Sequence, residues 1–178
     1  KATFFVTGKT LEDGGDEAKN ILKNAYNSGH SIANHSYSHN YNLLYPGRHL
    51  NKDAFLKDFS KTDKILKEVL GNDFKTKTWR LPGGLMSWRS TDSIKEYAEE
   101  SGIGLIDWNA LNKDAEGKKK NSDELVQCVK ESVEVLGPNA DSVVLLMHDT
   151  YGKEETVKAL PQIIEYLQGK GFEFRTIK

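Results

Sequence analysis

The sequence predicts an α/β fold with a mostly parallel sheet, open or closed into a barrel. Three observations predict it. Short apolar strand-like runs alternate with amphipathic helical stretches to the end of the chain. Polar, chemically capable residues fall just after four of the strand-like runs, where sheets of this class carry their chemistry. The 178 residues contain no linker, internal repeat or low-complexity tract, which points to one domain with a core of ordinary size.

Each element has its own signal. Residues 3–6 (Thr-Phe-Phe-Val) read as a buried strand closed by Gly8. Residues 16–28 read as a helix, with Ala18, Ile21, Leu22, Ala25 and Tyr26 at helical spacing and Gly29 as its stop. Residues 31–34 are a short strand. The next helix has the clearest stripe, formed by Phe55, Phe59, Thr62, Leu66, Val69 and Leu70, with Asn51 as cap and Gly71 as terminator. Residues 76–81 are strand-like and stop at Pro82-Gly83-Gly84. Ser90 or Thr91 opens a helix carrying Ile94, Tyr97 and Ala98, and residues 103–107 form the strand after it. Residues 113–121, with Lys118-Lys119-Lys120, read as a solvated loop. Ser122 is the expected cap of a helix carrying Leu125, Val126, Val129, Val133 and Leu136. Residues 142–147 are a continuous apolar run, expected to be a strand buried on both faces. Residues 155–167 are helical with a kink or fresh start at Pro161, and residues 172–177 are a last strand.

Composition excludes several functions. Lys+Arg is 25 and Asp+Glu is 26, a net charge of −1, so the chain lacks the basic surface that nucleic-acid binding requires. No apolar run approaches the roughly 20 residues of a membrane span, so no membrane contact is expected of this domain. The single cysteine, Cys128, lies on a helical apolar stripe as packing. There is no Cys-x-x-Cys, glycine-rich phosphate loop or Gly-x-Ser-x-Gly elbow.

The residues that can carry chemistry cluster in four places. His35 and His39 stand at i and i+4, and one helical turn would bring both imidazoles to one side to share a metal; the alternative is a polar loop with two surface histidines. Arg80 precedes Pro82-Gly83-Gly84, where a fixed guanidinium adjoins a turning backbone whose N–H groups could bind an oxyanion; the alternative is a strand-ending turn. His148 follows the most apolar run and is either a general acid oriented by a carboxylate or a histidine satisfied at the sheet edge. Asp107 could orient Arg80 or His148, or cap a helix, and Trp108 is either an aromatic wall for a sugar or a core-edge residue.

In order, these segments resemble the polysaccharide deacetylases of the NodB-homology type, carbohydrate esterase family four. Residues 1–8 (Lys-Ala-Thr-Phe-Phe-Val-Thr-Gly) are similar to the family's second strand, and residues 29–39 (Gly-His-Ser-Ile-Ala-Asn-His-Ser-Tyr-Ser-His) to its metal-binding motif. Residues 80–84 (Arg-Leu-Pro-Gly-Gly) resemble its third motif and residues 146–149 (Leu-Met-His-Asp) its last. The resemblance implies a deformed (β/α) barrel that removes N-acetyl groups from a glycan. It implies that His35 and His39 hold a divalent metal, zinc in most of the family, which polarises the acetyl carbonyl and activates water. It further implies His148 as general acid, Leu146 at the acetyl methyl, Arg80 orienting the catalytic base, and the backbone after Gly83-Gly84 at the oxyanion.

Two departures qualify the resemblance. The family's Thr-Phe-Asp-Asp-Gly-Pro motif, source of the base and third metal ligand, belongs upstream of Lys1. The chain is therefore expected to lack the first strand and to be impaired when alone. The family's fourth motif has an aspartate three residues after the tryptophan, whereas Leu111 stands three residues after Trp108, leaving Asp107 or Asp114 to replace it. Residues 107–117 look like a Gram-positive branch, which implies peptidoglycan as substrate and an extracellular or cell-envelope location. The rival expectations are a non-catalytic glycan-binding module on the same fold, or a deacetylase of chitin oligomers or xylan. The oligomeric state is left open.

Overall fold

A computed structural model of the chain describes residues 1–177. The elements in chain order are β1 (Thr3–Val6), α1 (Gly8–Asp13), α2 (Gly15–Asn27), β2 (Ser31–Asn34), α3 (Tyr41–Leu44), α4 (Lys52–Leu70), β3 (Thr78–Trp79), α5 (Asp92–Glu100), β4 (Gly104–Leu105), β5 (Ala110–Leu111), α6 (Ser122–Glu134), β6 (Leu145–Leu146) and α7 (Glu154–Gly169). Every ladder is parallel. β1 to β4 lie in sequence order in one sheet, and β5 pairs with β6 in a second. The α/β class with parallel strands is what the sequence predicts.

Residue contacts divide the described residues into two compact units, residues 1–107 with 174–177, and residues 108–173. In the first, α4 contributes to both hydrophobic clusters. Its buried face carries Phe55, Phe59, Thr62, Ile65, Leu66 and Val69. Asn51 caps it, the side chain accepting from the Ala54 N–H at 3.2 Å, and Gly71 ends it at φ 110°. Phe55 and Phe59 stack at 4.1 Å and are fully buried, each removal from water contributing about 2–3 kcal/mol. They pack with Leu44, Tyr45, Trp79, Leu81 and Ile94, while Leu11, Leu22, Ile32, Ile65, Leu66 and Val69 form a second cluster in the same unit. In the second unit α6 and α7 bury Leu125, Val126, Val129, Val133, Ala159, Ile163 and Leu167 around Ala110.

Several elements differ from expectation. α1 and α3, of six and four residues, are too short to show a period, and β5 is a two-residue ladder. The cap of α6 is Asn121 rather than Ser122: its side chain accepts from the Glu124 N–H at 2.9 Å while Glu124 accepts from the Asn121 N–H at 2.9 Å, a reciprocal capping box. The run 142–147 forms a ladder only at Leu145–Leu146, and both residues are half-buried rather than buried on two faces. The Val144 N–H is taken by the Asn109 side chain at 2.7 Å, which interrupts the ladder. α7 passes through Pro161 as one helix. The carbonyl that loses its donor there belongs to Val157, a residue that is 64% exposed. Residues 172–177 form no strand: the Phe172 N–H closes α7 onto the Leu167 carbonyl, and the Ile177 N–H donates to the Thr3 hydroxyl rather than to a ladder carbonyl.

Candidate active site

In the first unit, the loop after β2 carries His35 and His39. It is not the helical turn their spacing suggested. Ser36 (φ 73°) and His39 (φ 50°) are left-handed, and this pair of reversals brings the rings together. Such conformations cost non-glycine residues of order 1–3 kcal/mol each and persist where surrounding bonds enforce them. Those bonds are present. Asn34, fully buried, donates to the Phe59 carbonyl (2.9 Å) and the Asp63 carboxylate (2.8 Å) and accepts from the Ser36 N–H (2.9 Å). The Ser36 hydroxyl accepts from the His39 N–H at 3.0 Å. The Gly8 and Lys9 N–H groups donate to the Ser36 and Tyr37 carbonyls, both at 3.1 Å. Gly8 must be glycine here, because a Cβ would sit 2.6 Å from the Thr62 hydroxyl and 2.8 Å from the Tyr37 ring.

The His35 and His39 ring centres are 5.0 Å apart. Two imidazoles sharing one tetrahedral ion at about 2.0–2.1 Å per nitrogen have centres about 5 Å apart, so the spacing fits a shared metal. His35 Nδ1 lies 2.8 Å from the Arg80 carbonyl. A carbonyl only accepts, so Nδ1 carries the hydrogen and Nε2 keeps its lone pair, the arrangement a metal-ligating histidine needs. No group of three or more His, Cys, Asp or Glu able to hold a metal occurs among the described residues, so the donor set here is two histidines.

Arg80 ends β3. Its N–H donates to the Asn34 carbonyl at 3.2 Å, and its guanidinium lies 4.5 Å from the Phe5 ring centre. Burial pushes the guanidinium pKa down to about 10, against the pull of the Asp107 charge. No ion pair reaches Arg80 among the described residues. The turn that follows is rigid. Gly83 and Gly84 have φ of 81° and 79°, Trp88 Nε1 donates to the Pro82 carbonyl at 2.7 Å, and the Ser87 hydroxyl donates to the Gly83 carbonyl at 2.7 Å. Two amides of this turn are already engaged: Gly84 donates to the Leu81 carbonyl at 2.8 Å, and Leu85 to both Asp107 oxygens at 3.1 and 2.8 Å. The Gly83 N–H has no protein acceptor among the described residues, so of the two glycines it is the one with a donor to offer.

In the second unit His148 follows β6. Its Nδ1 is 2.7 Å from Asp114 Oδ1, and its backbone N–H donates to Asp114 Oδ2 at 2.9 Å. The Thr156 hydroxyl donates to the same oxygen at 2.9 Å. Burial alone would raise the Asp114 carboxyl, but the His148 and Thr156 donors outweigh it and hold its pKa at about 2. Asp114 is thus an acceptor at neutral pH, so His148 Nδ1 carries its hydrogen and Nε2 is left for chemistry. Of the two aspartates the sequence left open, Asp114 is hydrogen-bonded to His148, and Asp107 accepts from the Leu85 amide. Leu146, His148 and Leu111 line one small cavity. Trp108 is half-buried.

The family model for polysaccharide deacetylases matches residues 1–104. The chain belongs to the polysaccharide deacetylase family. It is 31% identical over 179 residues to a peptidoglycan-N-acetylglucosamine deacetylase of Bacillus cereus, covering 99% of this chain and 57% of that protein. The solved structure of a Streptococcus mutans CE4 esterase superposes with a TM-score of 0.91 at 35% identity, covering 99% of this chain and 74% of that one. The catalytic domain of peptidoglycan N-acetylglucosamine deacetylase from Eubacterium rectale superposes with a TM-score of 0.80 at 29% identity, covering 99% and 76%. This family member therefore spans little more than half the length of the curated relative.

Sequence reasoning missed the residues that hold the histidines. Asp58 and Thr156 were readable only as polar positions on buried helix faces, Asp58 falling between Phe55 and Phe59 on the α4 stripe. An acid interrupting an apolar stripe is the signal that could have found it.

Proposed function

We propose that this protein is a metal-dependent deacetylase that removes acetyl groups from N-acetylglucosamine in a polysaccharide, with peptidoglycan as substrate, zinc as metal and the cell envelope or its exterior as location. The observation that carries the reading is the His35–His39 pair, with His35 Nδ1 tied to the Arg80 carbonyl. The peptidoglycan deacetylase relative supports the substrate.

His35 and His39 would hold the ion, whose chemistry when bound is Lewis-acid polarisation of the acetyl carbonyl and a lowered pKa for attacking water. The base and a third, carboxylate ligand would come from residues outside this chain. A half-buried Arg80 whose guanidinium pairs with no carboxylate here is suited to fixing that base. The Gly83 N–H would donate to the developing oxyanion. Leu146 would face the acetyl methyl and Trp108 the sugar. His148, its Nδ1 locked on Asp114, would deliver a proton from Nε2 to the leaving amine.

The test is acetate release from peptidoglycan by the full-length protein. The expected result is release that a chelator abolishes and zinc restores, with His148→Ala lowering kcat by about 10²–10⁴ while zinc content is unchanged. A second reading, a glycan-binding module without catalysis, is motivated by Leu111 standing where the resembled family carries an aspartate. Zinc-loaded protein that binds peptidoglycan yet releases no acetate from it, from chitin oligomers or from acetylated xylan would establish that reading instead.

A further inference from the structure

We propose that Asp58 is the positioning residue that sets the bite of the His35–His39 pair, an inference that rests on the metal reading of that pair. Asp58 lies on the buried face of α4 and is 7% exposed. A carboxylate is costly to bury unless donors compensate it. Its donors are two backbone amides of the histidine loop: Asp58 Oδ2 accepts from the Tyr37 N–H at 2.8 Å and from the Ser38 N–H at 3.0 Å. No lysine or arginine forms an ion pair with it among the described residues. The carboxylate is thus committed to the loop.

Those two amides lie between the two left-handed residues, Ser36 and His39. His35 is already fixed without Asp58, by its N–H on the Val6 carbonyl at 2.9 Å and its Nδ1 on the Arg80 carbonyl. The approach of His39 depends on how residues 36–39 fold back. Within that stretch the Ser36–His39 bond holds the loop to itself and the Gly8 and Lys9 amides hold the Ser36 and Tyr37 carbonyls, whereas Asp58 is what ties the Tyr37 and Ser38 amides to a helix of 19 residues. Asn34 grips the same helix at the carbonyl of the next residue, Phe59, and at Asp63, so α4 holds the loop at its root and at its middle. Removing the Asp58 oxygens frees both central amides at once and loosens the backbone between the Tyr37 carbonyl, still held by Lys9, and His39. A small change in ring position is enough to spoil shared ligation, because two nitrogens must meet one ion at about 2 Å each.

The test measures the bite directly. Copper(II) nitrilotriacetate leaves two coordination positions open, and two suitably spaced imidazoles fill them without a third protein ligand. Titration followed by electron paramagnetic resonance should show capture by the unaltered protein and loss of capture in His35→Ala. Asp58→Ala should weaken capture at least tenfold, with Asp58→Asn, which keeps one acceptor oxygen, in between. Val69→Ala, a core truncation on the same helix, should leave it unchanged. No capture by the unaltered protein, or equal capture by His35→Ala, overturns the metal reading itself. Capture that is normal in the unaltered protein and equally normal in both Asp58 variants overturns only the role of Asp58. So does an equal loss in Val69→Ala, which would mark general destabilisation. If Asp58→Ala does not fold, Asp58→Asn decides alone.

Discussion

Replacing Asp114 with Asn removes the charge that holds His148 and should cost about 2 kcal/mol at neutral pH. The magnitude follows from the depressed carboxyl: a fall from the ordinary 3.8 to about 2 in the folded state corresponds to about 2 kcal/mol, at about 1.4 kcal/mol per pH unit. The sign follows from linkage. A carboxyl depressed by folding stabilises the fold fully above its unfolded value of about 4, and the contribution fades as pH falls towards about 2. The side chain is nearly enclosed, at 3% exposure, so solvent screening removes little of it. An amide also reverses the proton logic. If its oxygen serves the His148 and Thr156 donors, its NH₂ faces His148 Nδ1, which must then accept, moving the ring hydrogen to Nε2. The assay is urea unfolding followed by NMR on the Val126, Val129 and Ile163 methyls, which share one core in this unit, at pH 7 and near pH 2.5. The expected difference between the two proteins is about 2 kcal/mol at pH 7 and much smaller near pH 2.5, with the ¹⁵N shifts of His148 reporting the exchanged tautomer. A difference that is independent of pH, or a His148 tautomer that does not change, would refute the reasoning.

Other perturbations test other links. Gly83→Ala should destabilise the first unit by about 1–3 kcal/mol in a denaturant titration, because φ there is 81° and the new Cβ would lie 2.9 Å from the Trp88 ring. Asn121→Ala breaks the capping box of α6 and should cost about 1 kcal/mol, read as faster amide exchange in the first turn of that helix. Thr62→Val should be neutral or stabilising by up to about 1 kcal/mol, since the buried Thr62 hydroxyl has no hydrogen-bond partner among the described residues, and a thermal melt would show it.

What the sequence made legible was set by the range of the forces involved. α4 was readable to the residue because its stripe, its Asn51 cap and its Gly71 stop are all local. β1 and β2 were readable for the same reason, each a short apolar run ending at a polar residue. The later strands were over-read: an apolar run such as 142–147 reports burial, but whether its amides meet a neighbouring carbonyl or an Asn109 side chain depends on distant residues. In the candidate site, His35, His39, Arg80 and His148 could be picked out by type and order. The partners that orient them could not. Asp114 lies 34 residues from His148, and Asp58 lies 20 residues from Ser38. Such pairings have no period in the sequence, and only the packed fold decides that Asp107 serves a turn amide while Asp114 serves the imidazole.

The central claim, that His35 and His39 form half of a metal site through a preset His35 tautomer, is most directly tested by a zinc-soaked crystal measured at the zinc absorption edge. The account predicts an anomalous peak about 2.0–2.1 Å from His35 Nε2 and from one ring nitrogen of His39, with His35 Nδ1 still on the Arg80 carbonyl. Zinc bound through His35 Nδ1, or a peak that touches only one of the two histidines, would contradict it.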